Sequence, residues 1–188
     1  TATSYDYFMS TKFKSRESDN RVVKVDAGLK DIRPFMTAFV ISGKPISNEM
    51  LVDIIQTQEK LCSNFGRKRK SFSMGVYRSR AIQWPLHYTT ADPSMKFVPL
   101  GETAPMSLTE ILQKHPKGIE YAGILAPFKE YPILKDDSGK VLSFPPIINS
   151  ADVGAVQVGD SDLLVEFTGI NMDAVLLATN IVACDFYD

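Results

Sequence analysis

Hydrophobic and polar positions divide the chain into short segments of alternating type. From residue 21 the pattern is extended, with Val23 and Val25 on one side, and residues 34–41 then run nearly continuously apolar, as a buried strand does. A helical spacing follows. Met50, Leu51, Ile54, Ile55, Leu61, Cys62 and Phe65 recur at threes and fours, with Ser47 as N-cap, Glu49 at the positive end of the dipole and Gly66 as the stop. Phe72, Met74 and Val76 then alternate with Ser71, Ser73 and Gly75, and residues 86–90 are again of β type, so both predict strands.

The second half repeats these signals with clearer punctuation. Ser107-Leu-Thr-Glu110 is a capping box opening a helix with Leu108, Ile111 and Leu112, and residues 116–118 predict its end before a second short helix over 119–125. Residues 131–134 and 141–144 predict a hairpin around Asp136-Asp137-Ser138-Gly139, closed by Pro145-Pro146. A last strand over 163–167 leads through Gly169 to Asn171, the cap of a closing helix that carries Val175, Leu176, Ala178, Thr179, Val182 and Phe186. Strands paired between isolated helices predict an α+β fold: one domain, a mixed, mainly antiparallel sheet core flanked by helices. Residues 1–20 read as a polar lead-in and 21–188 as the domain, with no internal repeat.

Composition narrows the possibilities. At 188 residues one domain is expected, able to bury about 70% of its unfolded surface. With 21 basic against 22 acidic residues the whole-molecule field does not attract nucleic acid, so anion binding has to be local. No apolar run reaches the ~20 residues of a bilayer span and the first twenty residues lack a signal-type core, which predicts no membrane partner and a cytoplasmic location. Cys62 and Cys184 sit among apolar residues and match no zinc, haem or CxxC spacing, so they read as free thiols.

The common catalytic signatures GxSxG, HExxH, GxxxxGKS and GxGxxG are absent, and His87 and His115 have no neighbour at metal-ligand spacing. No metal site is predicted. The run Arg67-Lys68-Arg69-Lys70 after the first helix serves either as a grip on phosphates or as a solvated end favoured by the helix dipole. Two segments stand out. Residues 142–150, LSFPPIINS, set a hydroxyl, two rigid prolines and an amide in a stretch too apolar for a surface loop, the character of a pocket wall. In 165–169, VEFTG, Glu166 and Thr168 share one strand face, either as outward-facing polar groups or as a pair that reads a hydroxyl.

At these residues the sequence resembles the editing domain of the phenylalanyl-tRNA synthetase β subunit, in its archaeal and eukaryotic form. The resemblance covers about residues 22–186. It runs through Asp31-Ile-Arg-Pro34, Gln58-Glu59-Lys60-Leu61, the segment from Phe65 through the basic run, Phe97-Val-Pro-Leu100, LTEILQKHPKGIEY over 108–121, Tyr131-Pro132, LSFPPIINS and Thr168-Gly169. It implies hydrolysis of tyrosyl-tRNA formed in error on tRNA(Phe). An apolar synthetic pocket rejects an added hydroxyl only about 100-fold, whereas a second site that hydrogen-bonds the hydroxyl rejects the analogue lacking it by ~10⁴ or more. By this resemblance Leu100, Leu134, Ser143, Glu166 and Thr168 bind the substrate side chain. Gln58, Glu59 and Asn149 support deacylation by a positioned water, and Arg67, Lys68 and Arg69 meet tRNA.

The resemblance also implies partners outside the chain. These are tRNA(Phe) carrying tyrosine and the synthetase α subunit in an α2β2 parent, of which this chain would be an excised fragment. It implies no cofactor for the domain itself, ATP and Mg2+ belonging to the parent's synthetic reaction. Glu166 stands where the family commonly has Asp, and Ala155, Ser161 and Asp162 stand where it usually has Arg and an Arg-Asn pair. Those departures keep two other functions in view: a binding module without hydrolysis, and a free-standing deacylase acting in trans.

Overall fold

The computed structural model describes residues 21–43 and 45–187; the predicted lead-in over 1–20 lies outside them. In chain order the elements are β1 (Val23–Val25), a 3-10 turn (Ala27–Leu29), β2 (Phe35–Ser42), α1 (Asn48–Ser63), β3 (Phe72–Arg78), β4 (Leu86–Ala91), β5 (Lys96–Phe97) and β6 (Met106–Ser107). Then come α2 (Leu108–Lys114), α3 (Pro116–Leu125), β7 (Tyr131–Lys135), β8 (Val141–Phe144), β9 (Ile148–Asn149), β10 (Asp162–Gly169) and α4 (Met172–Tyr187). They form a five-stranded sheet of order β1-β4-β7-β8-β9, a three-stranded sheet β2-β10-β3 and a β5-β6 pair. Every pairing is antiparallel except β1 with β4, so the fold is α+β with mixed, mainly antiparallel sheets.

Alternation along β10 explains the layering. Leu163, Val165 and Phe167 point to a core shared with Phe72, Met74 and Val76 of β3, Ile54 and Cys62 of α1, and Val175, Ala178 and Val182 of α4. Leu164 points the other way, into a core with Tyr77 and with Leu86, Tyr88, Leu134 and Leu142 of the larger sheet. The far side of that sheet is closed by α2 and α3 through Leu108, Ile111, Tyr121 and Leu125. Helices therefore flank two facing sheets. Glu166 and Thr168, two and four residues from Leu164, are turned by the same alternation into the space between the sheets.

Three expectations need correction. Residues 34–41 form a strand, but β2 is an edge strand and its side chains are mostly half-buried, because only β10 covers it on one side. Residues 116–118 follow the end of α2 at Lys114, as predicted, but they do not separate it from a helix starting at 119. They open α3: proline suits the first turn, His115 Nδ1 caps Lys117 N–H at 3.2 Å, and a Cβ on Gly118 would lie 1.8 Å from the Ile111 carbonyl oxygen. Finally, Glu166 and Thr168 do not face outward; they are 2% and 0% exposed. The capping box at Ser107 and the caps at Ser47 and Asn171 form as their sequences predict.

Candidate functional site

A cleft of about 390 Å³ opens where β3, the edge of the smaller sheet, faces the segment that follows β8. Its walls are Leu51, Ile54 and Ile55 of α1 on one side and Phe144, Pro145, Pro146, Ile147 and Ile148 on the other. The predicted pocket wall LSFPPIINS is thus a wall. The apolar face of α1 is wider than its core contact needs, since Ile55 is 47% exposed to the cleft side and solvent.

The deep end is polar. Ser73, Ser143 and Glu166 line it, each 5% exposed or less. Glu166 Oε1 accepts the Tyr77 hydroxyl at 2.8 Å, while Glu166 Oε2 and Ser143 Oγ have no hydrogen-bond partner among the described residues. Such orphans are costly in a buried place, and they are satisfied when a ligand brings a donor and an acceptor. Gly75 makes the arrangement possible. It pairs directly with Glu166 across the strands, and a Cβ there would lie 2.0 Å from Tyr77 Oη and 2.6 Å from Glu166 Oε1. Burial pushes the Glu166 carboxyl up to about 7, against the opposing pull of the Tyr77 hydrogen bond and the Arg33 charge. Burial and the neighbouring Glu166 carboxylate push the Tyr77 phenol well above its ordinary value.

Behind this end lies a buried cation. Arg33, 1% exposed, donates from Nε to Thr168 Oγ1 at 3.0 Å, and from Nη2 to the Thr168 carbonyl at 2.7 Å and to Ser73 Oγ at 3.2 Å. Tyr88 of β4 donates its hydroxyl to the Arg33 carbonyl at 3.0 Å, tying the two sheets together at this point. Burial lowers the guanidinium from its ordinary value, and the Tyr88 and Glu166 charges oppose that shift.

The mouth carries different chemistry. Gln58 Nε2 donates to the Met74 carbonyl at 2.6 Å and Asn149 Nδ2 to the Val76 carbonyl at 3.3 Å, so two side-chain amides cap carbonyls of the edge strand β3. The amide nitrogens face the strand, leaving the oxygens as acceptors for the cleft. Exposed Glu59 lies beside them, with Leu100, Ala155 and Lys117 completing the lining. Arg69 also lines the cleft, but its Nη1 donates to the Pro146 and Ile147 carbonyls at 3.0 and 2.9 Å, and its guanidinium lies 4.4 Å over the Tyr121 ring. It braces the wall. Arg67 and Lys68 are exposed and outside the cleft; with Arg69 they hold φ values of 53°, 54° and 64°, a left-handed run that non-glycine residues seldom adopt.

Of the residues predicted from sequence, the cleft brings together Gln58, Glu59, Arg69, Leu100, Ser143, Asn149 and Glu166. Leu134 and Thr168 are not on its surface. Leu134 is a fully buried core residue paired across the strands with Ser143, and Thr168 stands one hydrogen bond behind Ser73. Ser161 and Asp162 are also away from the cleft lining, with Asp162 paired to Arg80. Sequence reading missed Ser73, Tyr77, Arg33 and Lys117 as parts of the site. Ser73 read as the polar member of an alternating strand, and only pairing with Thr168 reveals it. Among the described residues no group of three or more His, Cys, Asp or Glu is placed to hold a metal ion, and no helix is long and apolar enough to cross a membrane.

Comparison with known proteins fits this architecture. The chain is 48% identical over 184 residues, 98% of its length, to the "Phenylalanine--tRNA ligase beta subunit" of Borreliella afzelii, of which it covers 32%. It is 47% identical over its whole length to the protein of that name from Treponema pallidum, covering 31% of it. The fold matches the crystal structure of an N-terminal fragment of the phenylalanyl-tRNA synthetase beta-subunit from Pyrococcus horikoshii with a TM-score of 0.89. That match has 36% identity and covers 93% of this chain and 50% of that one. No family model matches the chain.

These likenesses are all to one subunit of an aminoacyl-tRNA ligase. More narrowly, the chain is a homologue of part of the phenylalanine–tRNA ligase beta subunit, and it spans about a third of the length of the curated relatives it matches.

Proposed function

We propose that this chain is an editing module that hydrolyses the ester of tyrosine attached in error to tRNA(Phe). The observation that carries the reading is the deep end of the cleft, where Glu166 Oε2 and Ser143 Oγ are buried without partners at the base of apolar walls. A phenylalanine ring would fill the walls and leave those oxygens unpaired. A tyrosine ring reaches them with a hydroxyl that both donates and accepts, so the para-oxygen decides acceptance.

With the ring so placed, the ester lies at the mouth among Gln58, Glu59 and Asn149. The amide oxygens of Gln58 and Asn149 and the Glu59 carboxylate hold a water against the carbonyl carbon. The water oxygen bonds that carbon, the bond to the ribose oxygen breaks, and a water proton passes to that departing oxygen, which leaves as the ribose hydroxyl. In this reading Arg67 and Lys68 meet the RNA backbone, and Arg69 holds the wall that the substrate packs against. Within the whole synthetase the chain works beside the α subunit of an α2β2 enzyme in the cytoplasm, and ATP and Mg2+ serve the synthetic reaction elsewhere.

The test is deacylation of tyrosyl- and phenylalanyl-tRNA(Phe) by the full synthetase containing this chain. Fast loss of the tyrosyl ester with the phenylalanyl ester spared is the expected result, and Ser143→Ala should erode the distinction about tenfold. Spontaneous rates for both esters would leave only a binding module.

A further inference from the structure

We infer that the corner of the larger sheet carrying Lys24, His87 and Lys135 is a second RNA-contact surface, where the two ammonium groups hold a backbone phosphate. The inference rests on the chain meeting tRNA, as proposed above, and it concerns a face that the cleft does not reach. On the far side of the larger sheet α2 and α3 bury Ala91 of β4, Ile133 of β7 and Val141 of β8. Toward β1 the same face lies open as a hollow of about 260 Å³, with Lys24, Asp26, His87, Thr89 and Lys135 in its lining.

Strand register makes the row. Lys24 pairs directly with His87, and His87 with Lys135, so three basic side chains stand side by side on one face of three adjacent strands. Basic groups set opposite one another do not stabilise a strand pairing, so the row is not explained by the sheet itself. Two carboxylates stand near, each tied to another group. Asp137 Oδ1 accepts from His87 Nε2 at 2.9 Å, and Asp26 Oδ1 accepts the Gly28 N–H at 2.7 Å. Neither lysine has a hydrogen-bond or ion-pair partner among the described residues, and Lys135 is half-buried without one.

The chemistry of the row selects the ligand. Strands lie about 4.8 Å apart, so the two lysine stems start about 10 Å apart on either side of His87 and can converge on one anion above it. Ammonium groups act as point charges and suit a tetrahedral phosphate, whereas a carboxylate would favour the planar fork of arginine, which this lining lacks. The Thr89 hydroxyl, two residues along β4 on the same face, adds a further donor. Val25 supplies the aliphatic lining, and the Tyr88 side chain turns between the sheets, where its hydroxyl meets the Arg33 carbonyl. Nothing there encloses a base or a sugar. The hollow therefore holds the charged group while the body of the ligand stays outside, as a nucleic-acid strand does when a protein grips it by its backbone.

The experiment acetylates the lysines of the full synthetase with an amine-reactive ester and reads each site by mass spectrometry. Three samples are compared: enzyme alone, with uncharged tRNA(Phe), and with inorganic phosphate at equal ionic strength. Lys24 and Lys135 should react in the free enzyme and lose that reactivity with tRNA but not with phosphate. A pair that tRNA leaves unprotected, or that is unreactive before tRNA is added, would overturn the surface. Equal protection by inorganic phosphate would replace RNA with a small phosphate ligand and overturn the assignment. Protection of Lys68 without this pair would remove the surface and leave the tRNA reading standing; protection of none of the three would count against both. Affinity gives a second readout. Lys24→Ala with Lys135→Ala should lower the slope of log affinity for tRNA against log salt by about 0.7–0.9, one phosphate contact. Removing the same charge at exposed Lys96 and Lys129 should not, and equal losses from both pairs would mean bulk charge rather than a site.

Discussion

Glu166 couples the site to the stability of the fold. Its carboxyl keeps a proton up to about 7 when folded and to about 4.5 when free, so between those values the folded chain binds more protons than the unfolded one. Stability contributed by this group therefore falls as pH rises through that window, by about 3 kcal/mol at ~1.4 kcal/mol per unit. Glu166→Gln removes the titration. Urea denaturation at pH 5 and pH 8 should show the wild-type-minus-variant difference in unfolding free energy decreasing with pH; a constant difference would contradict a carboxyl raised by burial. Leu134 calls for the opposite kind of readout. Being fully buried between the sheets, it should cost about 2–5 kcal/mol on replacement by alanine, seen as a lowered denaturation midpoint. Tyrosine selectivity lost without that destabilisation would show a ligand contact instead.

Among the elements, those with strong periodicity were legible from the chain alone: α1, α2, α4, β10 and the β7–β8 hairpin follow from caps, spacing and alternation. The two-residue strands β5, β6 and β9 were not, because two residues carry no period and their pairing is decided by distant partners. The site divides the same way. Ser143, Glu166 and Asn149 sit in segments whose composition is unusual for their place, whereas Ser73 and Arg33 gain meaning only from a partner 95 or 135 positions away. Arg69 joins two of these elements, reaching from the loop after α1 to the wall that precedes β9. Arg69→Ala should remove two hydrogen bonds and a cation–π contact, costing about 1–3 kcal/mol. Amide hydrogen exchange at residues 147–149 should accelerate, and Arg69→Lys, a point charge without the planar fork, should not restore protection fully. Unchanged exchange in Arg69→Ala would show that the wall stands without it.

For the molecule as a whole, a net charge of −1 means that the RNA contact proposed above has to come from a few cations rather than from a general field. Arg67 and Lys68 project from the strained turn after α1. Replacing both with alanine should reduce the slope of log affinity for tRNA against log salt by about 1.4, at ~0.7 per single-strand phosphate contact. An unaltered slope would place the RNA elsewhere on the surface. The cleft has a further consequence at this scale. One wall belongs to the helix over the smaller sheet and the other to the segment leaving the larger, so an occupant bonds to both halves at once. Such an occupant binds the folded chain and not the unfolded one, and a compound at a hundred times its dissociation constant adds about 2.7 kcal/mol to unfolding. A melting-temperature screen of small aromatic amides could thus find inhibitors of this cleft before any tRNA is charged, ranked by heat resistance rather than by turnover.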